Sequence, residues 1–145
     1  MKYSNLTKEV ALKASYGLAL DVFVWEYVFD GEVDLYFRGD HVPGHEAPTA
    51  GNTVPRFSTS LSAAKILLIK MFSENPGLNL DIEYGLEWYD EAEKAGFVWK
   101  GNQIPVWRLG VSGRDGNADD VVFGRTLEES LCKLAIKLHI PILTT

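Results

Sequence analysis

PRFSTSLSAAKILLIKMF, residues Pro55–Phe72, joins a firm beginning to a long apolar body. Pro55 cannot continue a preceding helix or strand, and Ser58, Thr59 and Ser60 carry the short polar side chains that cap helix starts. At about 100° per residue from Leu61, the side chains of Leu61, Ala64, Leu67, Leu68, Met71 and Phe72 share one broad stripe. Lys65, Lys70, Ser62 and Ser73 lie off it. Ile66 and Ile69 also lie off it, on the side of Ser62 and Ser73, so a helix touching two neighbours is expected.

Outward from this helix the punctuation is clear. Asn75-Pro76-Gly77 is a strong break. Beyond it Leu80, Ile82, Tyr84, Leu86 and Trp88 alternate with Asp81, Glu83, Gly85 and Glu87, the period of a strand with one apolar and one charged face. The expectation is that the Leu80–Trp88 row packs on a helix layer while the charged face is solvated or only partly covered. Asp90 to Gly96 reads as a connection. Phe97–Lys100 and Ile104–Val111 read as strands about a Gly101-Asn102 turn, with Pro105 marking an edge or a strand start. Gly110 to Asp120 is a polar turn, followed by a short strand at Val121–Phe123.

At the C-terminal end Thr126 and Glu129 make the Thr-x-x-Glu pattern of a capping box. Leu127, Leu131, Leu134, Ala135 and Leu138 then form a narrow apolar stripe, and Pro141 ends the helix. At the other end Asn5 or Thr7 can cap a first helix through about Ser15, with Gly17 a joint or a weak point. Leu18 to Phe29 is mostly large and apolar, stopped by Asp30-Gly31, and Trp25, Val28 and Phe29 are core candidates. Val33, Leu35 and Phe37 alternate as a short strand before the long loop Gly39–Val54. No internal repeat is present. The reading is one α+β domain over residues 1–145, with about three helices and a mostly antiparallel sheet of about four strands.

A chain of 145 residues is long enough for one self-sufficient core. Its 14 basic and 20 acidic residues give a net charge of −6, which argues against gripping nucleic acid through the overall field. The single cysteine, Cys132, excludes an internal disulfide and a Cys-rich zinc site, and suits a reducing compartment. The N-terminal MKYSNLTKEV lacks the apolar core of a signal peptide, and Glu26 interrupts the most apolar run, Val22–Phe29. A cytoplasmic protein with no membrane association is therefore expected.

Five groups of residues are weighed for the chemistry they could carry. His41 and His45, beside Asp40 and Glu46, have the donor types of a first-row metal site, but Pro43-Gly44 forbids the regular helix that would bring them to one face. Asp81, Glu83, Glu87, Asp90, Glu91 and Glu93 could supply an acid and a base, as paired carboxylates do in glycosidases, though an acidic surface explains them as well. Arg108, Arg114 and Arg125, with Lys100 and Trp99 or Trp107, could stack and hold single-stranded nucleic acid. The Gly110–Gly116 stretch matches no phosphate-loop pattern, and Cys132 sits beside an apolar stripe with no histidine at a diagnostic spacing.

Three blocks, taken in order, resemble the phage ABA sandwich domain family. They are Gly17-Leu-Ala-Leu-Asp21 through Glu26 to Gly31, then PRFSTSLSAAKILL from Pro55, then TLEESLCKLAIKL from Thr126, with a tryptophan-bearing sheet between the second and third. The resemblance implies a phage or prophage origin in a bacterial host cell and an α/β/α layered fold. It implies no catalytic residue and no cofactor. The expectation is an accessory protein acting through a host or phage partner, with self-association open. The alternatives are a metal-dependent hydrolase using His41 and His45, and single-stranded nucleic-acid binding.

Overall fold

The computed structural model describes residues 4, 6–31, 54–97, 103–112 and 120–139. Helix α1, Lys8–Lys13, starts where Thr7 accepts a hydrogen bond from the Val10 N–H through its hydroxyl, which settles the choice between Asn5 and Thr7. Gly17 is a joint, with φ at 144° in a region that side chains other than hydrogen rarely tolerate. Helix α2, Leu18–Tyr27, follows it at once and ends where the Gly31 N–H donates to the Trp25 carbonyl at 2.8 Å.

Helix α3, Leu61–Glu74, is capped by the Ser60 hydroxyl, which accepts from the Ala63 N–H. After the Asn75-Pro76-Gly77 break come strand β1, Asn79–Gly85, a 3-10 turn at Leu86–Trp88 and helix α4, Tyr89–Lys94. Strands β2, Val106–Ser112, and β3, Asp120–Gly124, lead to helix α5, Leu127–Leu138, whose first turn is held by Thr126. Among the described residues the fold is α+β, with five α-helices and a three-stranded antiparallel sheet in the order β1-β2-β3. The strands expected at Val33–Phe37 and Phe97–Lys100 lie outside the described residues, apart from Phe97, which is irregular.

Three local expectations are corrected. The segment read as a connection after Asp90 is helical from Tyr89 to Lys94, because Tyr89 and Ala92, three positions apart, both turn into a core. The long strand stops at Gly85, where the chain turns into the 3-10 segment, so Leu86 and Trp88 no longer belong to the alternating row. The broad stripe of α3 is narrower than its pattern: Ala64, Leu67 and Met71 are buried, whereas Leu61 and Phe72 at its flanks are exposed.

Two apolar clusters hold the sheet. The larger gathers Leu20, Phe23 and Val24 of α2, Leu67 and Met71 of α3, Leu109 and Val111 of β2, Val122 of β3, and much of α5. Phe29 stacks on Phe57 at 5.2 Å with the planes 2° apart, and Trp25 packs beside both, so the aromatic block expected to be core packs against it, with Val28 buried and Trp25 and Phe29 half-buried. The smaller cluster joins Tyr89 and Ala92 of α4 to Phe97, Val106 and Phe123. Val106 and Leu109 have opposite parity on β2, so the two clusters draw on opposite faces of that strand. Each fully buried large aliphatic side chain contributes roughly 1.5–3 kcal/mol to the folded state.

The narrow stripe expected for α5 is also corrected. Every residue from Glu129 to Ile136 is buried, so this helix is enclosed nearly all round by α1, α2, α3 and the sheet.

Candidate functional site

The sheet has a filled side and an overhang. Across β1 and β2 the pairs Leu80–Val111, Ile82–Leu109 and Tyr84–Trp107 share one face. Leu109 and Val111 are buried under the helices, and α5 lies over β3 and β2. Leu80 still packs against the main core, but Ile82 is 47% exposed and Tyr84 56% exposed, and Leu86 just beyond is 51% exposed. The row expected to be covered from Leu80 to Trp88 therefore faces water at Ile82 and Tyr84, while Trp88, beyond the strand, packs on the smaller cluster. The row's alternation is real, yet β1 is an edge strand among the described residues and, unlike β3 at the other edge, lies beyond the helix that covers the sheet. Tyr84 leans on Trp107 with ring centroids 4.7 Å apart.

The opposite face of β1 carries Asp81 and Glu83, and both are exposed. Arg108 lies next to them on β2, with its guanidinium over the Trp88 ring at 4.7 Å. Its ion pairs are loose, 3.5 Å to Glu83 and 4.0 Å to Glu91, and its buried Nε makes no hydrogen bond among the described residues. Arg108 thus tempers the acidic edge without neutralising it. A second exposed apolar set, Ile66 and Ile69, lies on the outer side of α3.

A different cluster, unrecognised in the sequence, lies inside. Glu129 is fully buried, and its carboxylate accepts from the Tyr16 N–H at 2.9 Å, the Arg125 N–H at 3.1 Å and the Lys133 ammonium at 2.9 Å, with the Arg125 guanidinium at 3.4 Å. A capping box would send this carboxylate back to the backbone of Thr126; it reaches one residue further, to Arg125. Burial lowers the pKa of Lys133 from its ordinary value, and Glu129 opposes that shift. The Arg125 guanidinium also covers the Phe97 ring at 4.6 Å.

The same joint is held from its other side. Ser58 accepts from the Gly17 N–H at 2.8 Å and donates its own N–H to Asp21 at 2.7 Å. Burial pushes the Asp21 carboxyl up to about 6, with the Ser58 hydrogen bonds and the Arg56 charge opposing it. The sequence signal for this hub was the Glu129–Lys133 spacing of four residues beside Arg125, which brings opposite charges to one helix face.

These positions bear on each chemical candidate. Trp107 and Arg108 are consecutive in a strand and point to opposite faces, and Arg125 is committed to Glu129, so the described members of the nucleic-acid set form no common strip. Arg114, Trp99 and Lys100 lie outside the described residues, as do His41 and His45. Among the described residues no three His, Cys, Asp or Glu side chains are grouped to hold a metal. Cys132 is fully buried, and burial together with the charges of Asp21 and Glu129 raises its thiol well above the ordinary value, the opposite of an activated nucleophile.

A cavity of about 90 Å³ lies beside Lys133, walled in part by Leu12, Ala95, Phe97, Val122 and Lys137. That space suits a few waters, well below the roughly 300–1,000 Å³ of an ordinary ligand pocket. No helix among the described residues is long and apolar enough to cross a membrane. Compared with known protein families, with curated proteins and with solved structures, the chain matches none.

Proposed function

We propose that this chain is a phage- or prophage-encoded accessory protein of the bacterial cytoplasm that acts as a non-enzymatic interaction module, docking a protein partner on the β1 side of its sheet. One observation carries the reading: Ile82 and Tyr84 are about half exposed while their cross-strand partner Leu109 is fully buried and Trp107 half-buried. Single exposed apolar residues are ordinary, but three successive large ones on an edge strand and its following turn are a recognised mark of interaction surfaces. The phage origin and the α/β/α layering rest on the resemblance. They are supported by its three blocks becoming α2, α3 and α5, and by the apolar clusters on the two faces of β2.

The test is selective retention. Proteins retained from bacterial lysate by the unmodified chain should be lost with Ile82→Asp/Tyr84→Asp, with folding unchanged by circular dichroism. Retention of the same set by both proteins would contradict the reading.

A further inference from the structure

We infer that the outer edge of β1 accepts an extended protein segment alternating apolar and basic residues, which adds to the sheet as a further strand. The inference rests on the interaction-module reading and names its occupant. β1 is seven residues long, contains no proline or lysine, and is paired on one side only among the described residues. An antiparallel strand bonded on one side leaves alternate N–H and C=O groups directed away from the sheet, and an added strand satisfies them.

Side-chain chemistry then selects the occupant. On one face Ile82 and Tyr84 offer apolar surface continuous with Trp107. On the other Asp81 and Glu83 are exposed, and Arg108 holds Glu83 only loosely. Directly opposed residues in a ladder interact, with opposite charges favoured and like charges disfavoured. A segment with apolar residues on the Ile82 face and Lys or Arg on the Glu83 face meets both requirements.

A second copy of β1 does not. Centred on Ile82, antiparallel self-pairing sets Asp81 against Glu83 of the other copy on both sides of the centre. Moving the centre to Asp81 or Glu83 sets like residue against like. Every antiparallel register that keeps the apolar row continuous and overlaps more than half the strand therefore opposes acid to acid. The edge is protected against itself by the same charges that admit a basic partner.

The probes are three short blocked peptides: one alternating lysine with valine, one with glutamate in place of lysine, and the lysine peptide with a central proline. They are titrated into the intact chain by NMR, at low and high salt. The lysine–valine peptide should bind at least about tenfold more tightly than the glutamate peptide, weaken with salt, and lose binding on proline insertion. Asp81→Lys/Glu83→Lys should reverse the charge preference, and Ile82→Asp should weaken both peptides. All three positions are exposed, so these variants keep the fold.

Equal binding of both charged peptides, abolished by Ile82→Asp, would overturn the basic partner and leave the docking surface standing. Failure of every peptide, with lysate capture still sensitive to Ile82→Asp/Tyr84→Asp, would overturn the added strand alone. Failure of every peptide with capture insensitive to those substitutions would overturn both. A dimer in sedimentation that Ile82→Asp dissociates would assign the edge to a second copy and end the inference.

Discussion

Around Glu129 a carboxylate, an ammonium and a guanidinium sit inside the protein, while along β1 and the turn that follows it three large apolar side chains sit outside it. The two regions invert the usual partition for different reasons. The buried charges are enclosed because each meets its complement: four donor groups converge on Glu129, tying the Tyr16–Gly17 joint and the end of β3 to the central helix. The exposed side chains have no such closure, because the helices end over β2 and β1 overhangs them. One region gains its order from internal satisfaction, and the other leaves its contacts to be completed by something else. Substitutions should therefore be severe for folding in the first region and mild in the second.

The largest loss is expected for Glu129→Ala, which leaves the buried Lys133 charge and two part-buried backbone N–H groups without the carboxylate that accepts from them. Breaking a buried pair from one side costs about 3–5 kcal/mol, a large share of a typical domain's stability. Urea denaturation should show a much lower midpoint, and Glu129→Met/Lys133→Met should recover much of it. A loss below about 1 kcal/mol for Glu129→Ala would show that the hub contributes little.

Leu109→Ala should cost about 2–5 kcal/mol, since the side chain is fully buried, whereas Ile82→Ala directly across the ladder should stay within about 1 kcal/mol. Comparable losses would mean that the β1 row is covered in solution.

Asp21 sharpens the comparison through pH. Its folded pKa, about 6, lies above the ordinary 3.8, so the folded state holds the proton more tightly than the unfolded chain. Its contribution is fully present below about pH 4, is lost as pH rises through about 6, and is absent above that. The change is on the order of 2–3 kcal/mol. Asp21→Asn, which can still accept the Ser58 N–H, should flatten stability between those pH values and raise it at pH 7. An unchanged slope in the variant would remove Asp21 as its source.

The smallest effect concerns reactivity. Cys132 should resist alkylation until the protein unfolds, so its labelling rate should follow denaturant. Rapid labelling of the native protein would show that the central helix is less enclosed than described.

Local signals were legible where one residue decides the geometry. The capping hydroxyls of Thr7, Ser60 and Thr126, the Gly17 joint and the alternation of β1 and β2 were all present in the sequence pattern. What periodicity does not contain is the extent of the neighbouring layer. Ile82 and Leu109 occupy equivalent places in their alternating rows, and only the position of the helices above them separates exposed from buried. For the same reason the α5 stripe read as narrow, since Lys133 and Glu129 count as polar until their mutual pairing is seen. The short helix at Tyr89–Lys94 escaped because it has no side-chain cap and spans less than two turns. The metal candidates His41 and His45 and the cation Arg114 fall outside the described residues.

The most direct test of the open β1 edge is hydrogen exchange of its backbone amides, in the free protein and with the lysine–valine peptide. The expected result is alternation along Asn79–Gly85 in the free chain, the β2-bonded amides slow and the outward ones fast, with the outward ones becoming slow when peptide is added. Uniform protection of β1 before any peptide is present, or outward amides that stay fast at saturating peptide, would contradict it.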